Sequence, residues 1–222
     1  MGYILSIETS GTNCSVALSV AGEVKVLKEE NTGNFSHAEK LHAFIKDIIE
    51  HANVAVEAID AVAVSKGPGS YTGLRIGVSA AKGLCFAWDK PLIAVSTLEA
   101  LAYQGKERAV DYIIPLLDAR RMEVYAAIFT SDMVLEKETT AVIVDETSFK
   151  EFLDKGTVLF LGDGAEKCKE VFTSANARFL DGKFPSAAEV GQIAFTKFTQ
   201  QAFEDVAYFE PFYLKDFVAG RK

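Results

Sequence analysis

The sequence predicts an α/β protein of two similar lobes, each a mixed β-sheet covered by helices. In each half, three predicted strands are joined by short turns, which is typical of antiparallel neighbours. Each half then continues through a helix to a further strand, which adds a parallel strand to the sheet. The halves share little residue identity, so the repeat lies in the order of elements. The polar break Gln104–Arg108 separates the predicted lobes, residues 1–105 and 106–222.

Hydrophobic periodicity places the elements of the first half. A helix over 37–50 starts at the capping box Ser36–Glu39 and carries one apolar stripe. A second helix spans 71–88, and a short one starts at the capping box Ser96–Glu99. The predicted strands are Tyr3–Thr9, Cys14–Val20, Val24–Glu29, Asp60–Ser65 and Pro91–Val95.

The second half repeats this order of elements. A short helix is predicted around Ser148–Leu153, and a long final helix starts at Ser186 and ends near Phe203. The segment after Tyr208 has no predicted partner, and a return to the first lobe is one of its open placements. The predicted strands are Tyr112–Leu117, Val124–Phe129, Val134–Val144 and Thr157–Leu161.

Composition and charge exclude several classes of protein. Apolar residues make up 49% of the chain and charged residues 24%, which is typical of a globular protein with a full core. No apolar run is long enough to cross a bilayer, and no secretory signal precedes the first strand. Three widely spaced cysteines favour a reducing compartment, so we expect a cytoplasmic protein. The net charge of −8 predicts poor binding of nucleic acid by this chain alone.

The glycine-rich segment Lys66–Gly77 is the most informative part of the sequence. It lies between a strand and a helix, where free N–H groups can bind an anion. It is not a Walker loop, since no Gly-Lys-Ser/Thr follows, and Gly73 comes one residue late for the dinucleotide fingerprint. Spacing alone therefore favours a structural turn and leaves an anion site open.

Four segments together resemble the TsaB (YeaZ) family of bacterial proteins. They are Ile7–Ser10, Lys66–Gly77, Ser96–Glu99 and Asp118–Tyr125, and Pro211–Lys215 resembles the family's C-terminal signature. The resemblance implies two duplicated ribonuclease-H-like lobes of the actin/Hsp70/sugar-kinase (ASKHA) superfamily. That architecture agrees with the repeated order of elements.

The resemblance also implies a function in tRNA modification. TsaB is a non-catalytic partner of its catalytic paralogue TsaD. With the ATPase TsaE, the complex transfers a threonylcarbamoyl group to the adenosine beside the anticodon in tRNAs that read codons starting with A. The chain would then be a subunit and not an enzyme, and tRNA would contact it only indirectly. The alternatives are an autonomous ATP-dependent kinase or ATPase of the superfamily and, more remotely, a peptidase, for which no Gly-x-Ser-x-Gly elbow is present.

The metal site of the paralogue is not expected in this chain. The paralogue carries Asn-His-x-x-x-His after the equivalent strand, and its two histidines hold the metal. The corresponding residues here are Ser96, Thr97 and Leu101. Threonine is a poor ligand for a soft metal and leucine is none, so we expect no bound metal.

Candidate nucleotide contacts lie in the first turn and in the glycine-rich segment. Kinases of the superfamily usually carry an Asp near the nucleotide's Mg²⁺ where this chain has Glu8, whose longer side chain would displace an octahedral shell. The favoured alternative is that Glu8 caps the turn that follows it. In the second lobe, Asp118–Arg121 has no glycine, and its two arginines suit a carboxylate or an acidic partner surface. Any ATP or ADP is therefore expected at a site that partners complete. The candidate contacts are Glu8, Thr9, Ser10, Gly11, Thr12, Gly67, Gly69 and Gly73.

Two helices of the first lobe are the candidate partner interface. The resemblance implies that they pair with TsaD in a helical bundle, or with a second copy when TsaD is absent. The helix over 71–88 is apolar nearly all round, which indicates burial on more than one side. We expect Ala81→Glu to block the heterodimer and leave the fold intact. The candidate interface residues are Leu41, Ile45, Ile48, Gly77, Ala80, Ala81 and Leu84.

The histidines and one cysteine are interpreted as surface groups. His37 and His42 lie on the helix over 37–50, His51 follows its end, and the three form no His-Glu-x-x-His motif. Two lysines flank Cys168 and would lower the pKa of its thiol.

Overall fold

Two mixed sheets with helices form the structure, in agreement with the predicted class. The computed structural model describes residues 2–33 and 37–215, and within them it contains ten strands and five α-helices. None of the described helices combines the length and hydropathy that a membrane-spanning segment needs. The capping residue predicted at Ser36 lies outside the described residues.

The strands and helices fall close to their predicted positions. The strands are β1 Tyr3–Glu8, β2 Asn13–Val20, β3 Glu23–Asn31, β4 Ala61–Gly67, β5 Leu92–Ser96, β6 Tyr112–Asp118, β7 Glu123–Thr130, β8 Leu135–Ile143, β9 Val158–Leu161 and β10 Ala177–Leu180. The helices are α1 His37–Ala52, α2 Tyr71–Trp88, α3 Thr97–Tyr103, α4 Lys150–Leu153 and α5 Ala187–Thr199.

The two sheets have the same topology. The first has the order β3-β2-β1-β4-β5, and the second has the order β10-β9-β6-β7-β8. In the first, β1, β2 and β3 are antiparallel neighbours, while β4 and β5 are added in parallel. In the second, β6, β7 and β8 are antiparallel and β9 and β10 are parallel. The predicted duplication is therefore confirmed.

The chain divides into two units whose bounds differ from the predicted lobes. One unit consists of Met1–Thr97 and Ser186–Lys222, and the other of Leu98–Pro185. The prediction instead placed the boundary after residue 105 and assigned everything beyond it to the second lobe. Residues after Pro185 join the first unit because α5 packs on the first sheet. The boundary falls at the start of α3 because Leu98 and Leu101 pack in a core cluster with residues of β6 and β7.

Two contacts show how α5 joins the first unit. The Nζ of Lys197 donates to the carbonyl oxygen of Ala94 in β5 at 2.9 Å. At the start of the chain, a Cβ on Gly2 would lie 3.3 Å from the ring of Phe198 in α5. Beyond α5, Glu204 forms a bridge with Leu92, so the C-terminal segment also returns to the first unit.

The first sheet carries helices on both faces. Leu5 and Ile7 of β1 pack in one core cluster with residues of α1 and α2. Ser6, whose side chain points the other way, lies beside Gly191 of α5. Because helices cover both faces, β1 and β4 are buried along nearly their whole length. Strands buried in this way have apolar residues on both faces.

In the second unit, aromatic side chains fill the core. Phe160 of β9 is fully buried, and its ring lies 4.9 Å from that of Phe172 and 5.4 Å from that of Phe179. Phe179 belongs to β10, which was not predicted from the sequence. This edge strand has four residues, none of them buried, so it shows no clear alternation.

Candidate functional site

The first turn and the glycine-rich segment meet at one edge of the first sheet. Glu8 ends β1 and Gly67 ends β4, and the two strands are parallel neighbours, so their carboxyl ends lie together. The N–H of Ser70 donates to the carbonyl oxygen of Ser10 at 2.7 Å. The hydroxyl of Thr9 donates to the carbonyl oxygen of Gly73 at 2.7 Å. The structure thus brings the candidate nucleotide residues together.

The glycines allow this close packing. A Cβ on Gly69 would lie 2.5 Å from the carbonyl oxygen of Ser10. On Gly73 and Gly77 it would lie within 3.0 Å of the carbonyl oxygen and the hydroxyl of Thr9, respectively. The start of α2 therefore rests directly on the first turn. The space that glycines leave open is filled by the chain itself, which supports the interpretation as a structural turn.

The carboxyl group of Glu8 makes its hydrogen bonds to the first turn and to the neighbouring strand β4. Its side chain is fully buried, and Oε1 accepts the N–H of Ser10 at 2.5 Å. Oε2 accepts the hydroxyl of Ser65 on β4. Burial raises the pKa of the Glu8 carboxyl, and the hydrogen bonds from Ser10 and Ser65 oppose that rise. The carboxyl group caps its own turn and ties β1 to β4.

The rest of the first turn is held by the start of α1. Gly11 and Thr12 are half-buried. The Nε2 of His37 donates to the carbonyl oxygen of Gly11 at 2.8 Å. His37 is buried, so its interpretation as a surface histidine was wrong. Burial lowers the pKa of His37, and the bond to Gly11 opposes that change.

The N-terminus of α2 is capped from within the segment. The side chain of Ser70 accepts the N–H of Gly73 at 3.3 Å, and its carbonyl accepts the N–H of Leu74 at 2.8 Å. A side-chain cap satisfies one of the donors that an anion would otherwise bind. The geometry of the helix start therefore also fits a structural turn.

A C-terminal segment, residues 205–213, runs along α2 and the glycine-rich segment. The N–H of Phe212 donates to the carbonyl oxygen of Lys66 at 2.7 Å. The carbonyl oxygens of Ala207 and Phe209 accept bonds from the Nζ of Lys82 at 3.1 and 2.9 Å. The charge of Lys82 within an apolar helix was the signal for this contact, and sequence reasoning did not use it.

The same segment contributes an aromatic contact at the start of α2. The ring of Tyr213 lies 4.8 Å from that of Tyr71, and its hydroxyl accepts a bond from the Nε of Arg75 at 3.2 Å. The guanidinium of Arg75 lies over the ring of Tyr71 at 4.1 Å. These contacts hold Tyr213, which lies in the C-terminal signature segment Pro211–Lys215, against the start of α2.

The candidate interface residues are not on the surface, with one partial exception. Six of them are buried, and Leu84 is half-buried. They face the first sheet and the neighbouring helix, because the apolar stripe of a helix turns toward its own core. The buried six are Leu41, Ile45, Ile48, Gly77, Ala80 and Ala81.

The exposed side of α2 is a different row of residues. Thr72, Arg75, Ser79, Gly83 and Phe86 follow one another at intervals of three or four and are all exposed. Phe86 is 87% exposed, the largest exposed fraction of any large apolar side chain among the described residues. We call this row the α2 outer face. Sequence reasoning missed it because it looked for the most apolar stripe, which is the core side.

In the second unit, the counterpart turn is built from acids and lysine. The N–H of Asp118 donates to Oδ1 of Asp163 at 2.9 Å, and the Nζ of Lys167 lies 2.5 Å from Oδ1 of Asp118. Burial raises the pKa of Asp163, and the charge of Asp118 adds to that rise. Within residues 2–33 and 37–215, no three His, Cys, Asp or Glu side chains are grouped so that they could hold a metal ion.

The three thiols are all buried, which corrects the interpretation of Cys168 as a surface group. Its Sγ donates to the carbonyl oxygen of Gly164 at 3.2 Å. Burial raises the pKa of Cys168 to about 11, and the nearby Lys167 only partly opposes it. Burial likewise raises the pKa of Cys14 to about 11 and that of Cys85 to about 12. None of these thiols has the environment of a nucleophile.

Comparisons with known proteins agree with the duplicated fold and these motifs. The family model described as "TsaD: tRNA N6-adenosine threonylcarbamoyltransferase" matches residues 34–221. The Escherichia coli protein TsaB is 31% identical over 227 residues, which cover 99% of this chain and 97% of the relative.

Solved structures show the same fold. YeaZ from Pseudomonas aeruginosa superposes with a TM-score of 0.80 at 26% identity, covering 96% of this chain and 100% of that one. The activator of 2-hydroxyisocaproyl-CoA dehydratase from Clostridium difficile has a TM-score of 0.50 at 12% identity, covering 91% of this chain and 98% of that one. The latter similarity shows the fold alone. The chain therefore belongs to the family that the TsaD model describes and, within it, to the TsaB (YeaZ) proteins.

Proposed function

We propose that this protein is a non-catalytic subunit of the complex that makes threonylcarbamoyladenosine in tRNA, where it supports the catalytic subunit TsaD together with the ATPase TsaE. The observation that carries the proposal is its similarity, over nearly the whole chain, to a protein named for tRNA threonylcarbamoyladenosine biosynthesis. The modified base is the adenosine beside the anticodon of tRNAs that read codons starting with A. The acidic chain contacts tRNA only through its partners.

The geometry of the first turn supports a non-catalytic role. A kinase needs an acid that ligates Mg²⁺ and loops that cradle phosphates. Here Glu8 is fully buried and bonded to Ser10 and Ser65. The backbone of Thr9 and Ser10 fills the space above Gly69 and Gly73. Neither feature leaves the first turn ready for a metal–phosphate group.

The kinase alternative is tested by nucleotide titration. We expect the isolated chain to show neither saturable ATP binding nor ATP hydrolysis, because the first turn is occupied by its own groups. The same titration with TsaD and TsaE present should show binding, at a site that the partners complete. Turnover of ATP by the isolated chain, surviving a second purification step, would favour the kinase alternative.

The α2 outer face supports a helical contact with TsaD. Ser79 and Gly83 are small, and no heavy atom lies within 4 Å of the position that a Cβ on Gly83 would take. A second helix can therefore approach closely at these positions. Phe86, one turn further along, offers a large apolar anchor of the kind that dominates protein interfaces.

Phe86→Asp tests this surface. We expect the variant to lose association with TsaD in gel filtration, because a charge replaces the apolar anchor. Its melting temperature should stay close to that of the unmodified protein, since Phe86 is 87% exposed. The matched control is Leu27→Asp on β3, which changes another exposed apolar residue of the same unit.

The control should bind TsaD normally. Co-elution of Phe86→Asp with TsaD at the unmodified level would contradict the α2 outer face as the interface. When TsaD is absent, the same face is available for a homodimer, so sedimentation of the chain alone should become independent of concentration in Phe86→Asp.

A further inference from the structure

The turn at the start of the C-terminal segment is fixed to the first unit. Oδ1 of Asp205 accepts the N–H of Ala207 at 2.8 Å and that of Tyr208 at 3.2 Å. The carbonyl oxygen of Asp205 accepts the N–H of Phe209 at 2.8 Å. The side chains of Val206 and Phe209 pack against the core cluster of the first sheet. Hydrogen bonds and burial therefore hold this turn, residues 205–209, in place.

Two side chains of α2 hold the C-terminal segment from the helix. The Nζ of Lys82 donates to the carbonyl oxygens of Ala207 and Phe209 at 3.1 and 2.9 Å. Earlier in the helix, the Nε of Arg75 donates to the hydroxyl of Tyr213 at 3.2 Å. Arg75 and Lys82 are about two helical turns apart, so they project from nearly the same side of α2. The C-terminal segment therefore lies along that side.

This side of the helix adjoins the α2 outer face. Each residue turns a helix by about 100°, so a residue four positions on lies only about 40° further round. Ser79 stands in this relation to Arg75, and Phe86 stands in it to Lys82. Arg75 itself belongs to the α2 outer face. The C-terminal segment and the α2 outer face are therefore neighbouring parts of one surface.

Tyr208 is the most exposed apolar side chain of the turn. It lies between the two residues whose carbonyl oxygens bind Lys82, and it is 84% exposed. Among the large apolar side chains of the described residues, only Phe86 is more exposed, at 87%. Both belong to the surface that α2 and the C-terminal segment form together. Exposed apolar groups collected on one surface indicate a site of protein contact.

We propose that Tyr208 is a second anchor for the helix of TsaD that packs on the α2 outer face. The C-terminal segment then forms one wall of the groove in which this helix lies. Tyrosine rings supply a large contact area at little cost in conformational entropy, and tyrosine is enriched among the residues that dominate interfaces. The inference deepens the proposed function, on which it rests, by giving the C-terminal segment a direct part in partner binding.

The layout of the surface favours a helix as its occupant. Gly83 lies about 60° round α2 from Phe86, on the side away from Lys82. No heavy atom lies within 4 Å of the position that a Cβ on Gly83 would take, so this position is open. A helix that lies over Gly83 therefore has one flank toward Phe86 and, beyond it, toward the turn that carries Tyr208.

TsaD is the expected occupant because the two contacts are continuous. The proposed function assigns the α2 outer face to TsaD, and a helix that covers Phe86 also approaches the adjoining turn. Neither Phe86 nor Tyr208 carries a charge, so we expect their contribution to binding to depend little on salt. A second copy of this chain is the alternative occupant, and self-association of the variants distinguishes it from TsaD.

The test compares Tyr208→Ala with Tyr208→Phe in the full chain. We expect Tyr208→Ala to bind purified TsaD about tenfold more weakly in calorimetric titration, because the ring contact is lost. Tyr208→Phe is the matched control, which keeps the ring and should bind as tightly as the unmodified protein. Both variants should keep the melting temperature of the unmodified protein, since Tyr208 is 84% exposed. Phe86→Asp is titrated alongside.

The comparison with Phe86→Asp separates this inference from the proposed function. Weaker binding by Tyr208→Ala and by Phe86→Asp, with full binding by Tyr208→Phe, supports the second anchor. Full binding by Tyr208→Ala while Phe86→Asp loses TsaD overturns the second anchor and leaves the proposed function in place. Full binding by both overturns the α2 outer face as well. A loss with Tyr208→Ala alone would contradict the continuity of the two contacts and also overturns the inference.

Three other results would overturn it. A lower melting temperature of Tyr208→Ala would mean that the residue serves the fold. An equal loss of affinity in Tyr208→Phe would mean that the hydroxyl is used and not the ring. Weaker self-association of Tyr208→Ala in sedimentation, with unchanged affinity for TsaD, would show that the occupant is a second copy of this chain.

Discussion

The carboxyl group of Glu8 lies where the catalytic and the structural interpretations of this protein diverge. In a nucleotide site it would face solvent and a metal, and here it is fully buried. It accepts one bond from the N–H of Ser10 and one from the hydroxyl of Ser65. The residue therefore joins two parallel strands and shapes the first turn.

The buried carboxyl predicts a pH dependence. Burial raises its pKa above the ordinary value of 4.5, so the carboxyl group binds its proton more tightly in the folded protein than in the unfolded chain. Its contribution to the free energy of unfolding is therefore full below the unfolded pKa and decreases as pH rises through the folded pKa. Glu8→Gln keeps the shape and one acceptor but does not titrate.

Urea unfolding from pH 4 to 8 checks this prediction. We expect the stability of the unmodified protein relative to Glu8→Gln to fall as pH rises. Glu8→Ala, in contrast, should cost about 2–3 kcal/mol throughout, because it leaves buried donors without an acceptor. A relative stability that stays constant or rises with pH would show that the pKa of Glu8 is not raised.

At the residue scale, sequence reasoning succeeded where the contact is local. Glu8 bonds to Ser10, two positions away, so a cap of the following turn could be predicted from the chain. It failed for His37 and Cys168, which are buried by contacts with Gly11 and Gly164. Charge and spacing along a helix do not tell which side the rest of the protein covers.

Among the elements, α2 combines a packed start with an open outer face. Its first turns rest on the first turn of the chain, where Gly73 faces the carbonyl oxygen of Thr9 and Gly77 faces its hydroxyl. Its later turns carry Phe86 and the small residues of the α2 outer face. Gly73 and Gly83 therefore differ within one helix: Gly73 is in close contact with the backbone of Thr9, and Gly83 leaves its side of the helix open.

Gly73→Ala and Gly83→Ala test this contrast. A Cβ on Gly73 would collide with the backbone of Thr9, so we expect a loss of about 2–3 kcal/mol. A Cβ on Gly83 would meet nothing within 4 Å, and alanine should stabilise this helix position by about 0.5–1 kcal/mol. Chemical unfolding of both variants gives the two values. Equal effects of the same sign would contradict the described packing of α2.

The expectation that Ala81→Glu would spare the fold is now reversed. Ala81 is fully buried in the core formed by the sheet, α1 and α2. A buried unpaired carboxylate should cost about 3–5 kcal/mol, so the variant should unfold at a clearly lower denaturant concentration. Unfolding at the unmodified midpoint would show that this position is open to solvent.

The amphipathic pattern of α2 predicts where the helix lies but not which of its faces is open to a partner. The apolar period placed the helix correctly at Tyr71–Trp88, yet the stripe it singled out belongs to the core. The interface candidate is a single exposed phenylalanine among small and polar residues, which a search for apolar stripes passes over. Position on a helix can be predicted from sequence, whereas availability to a partner depends on tertiary contacts.

The molecule as a whole contains two copies of one sheet topology, and the C-terminal part of the chain is added to the first copy only. Both sheets have one topology, and the repeated order of elements predicted it. The division of the chain could not be predicted, because α5 and the segment after it belong to the first unit although the whole second unit precedes them in the sequence. Contacts such as that between Lys197 and Ala94 join residues far apart in sequence and leave no local signal.

The first unit thus holds both the turn that a kinase would use and the helix that a partner would use. We infer that its glycines, Glu8 and the C-terminal segment serve the second purpose by building and supporting α2. The first turn then serves as a structural joint between β1 and the start of α2.

The most direct test is synthesis of threonylcarbamoyladenosine in a mixture of this protein, TsaD, TsaE, tRNA and threonylcarbamoyl adenylate. We expect Glu8→Gln to support modification at a rate close to that of the unmodified protein, and Phe86→Asp to support almost none while remaining folded. Loss of modification with Glu8→Gln at full complex formation, together with normal modification with Phe86→Asp, would contradict a structural role for the first turn and a partner role for α2.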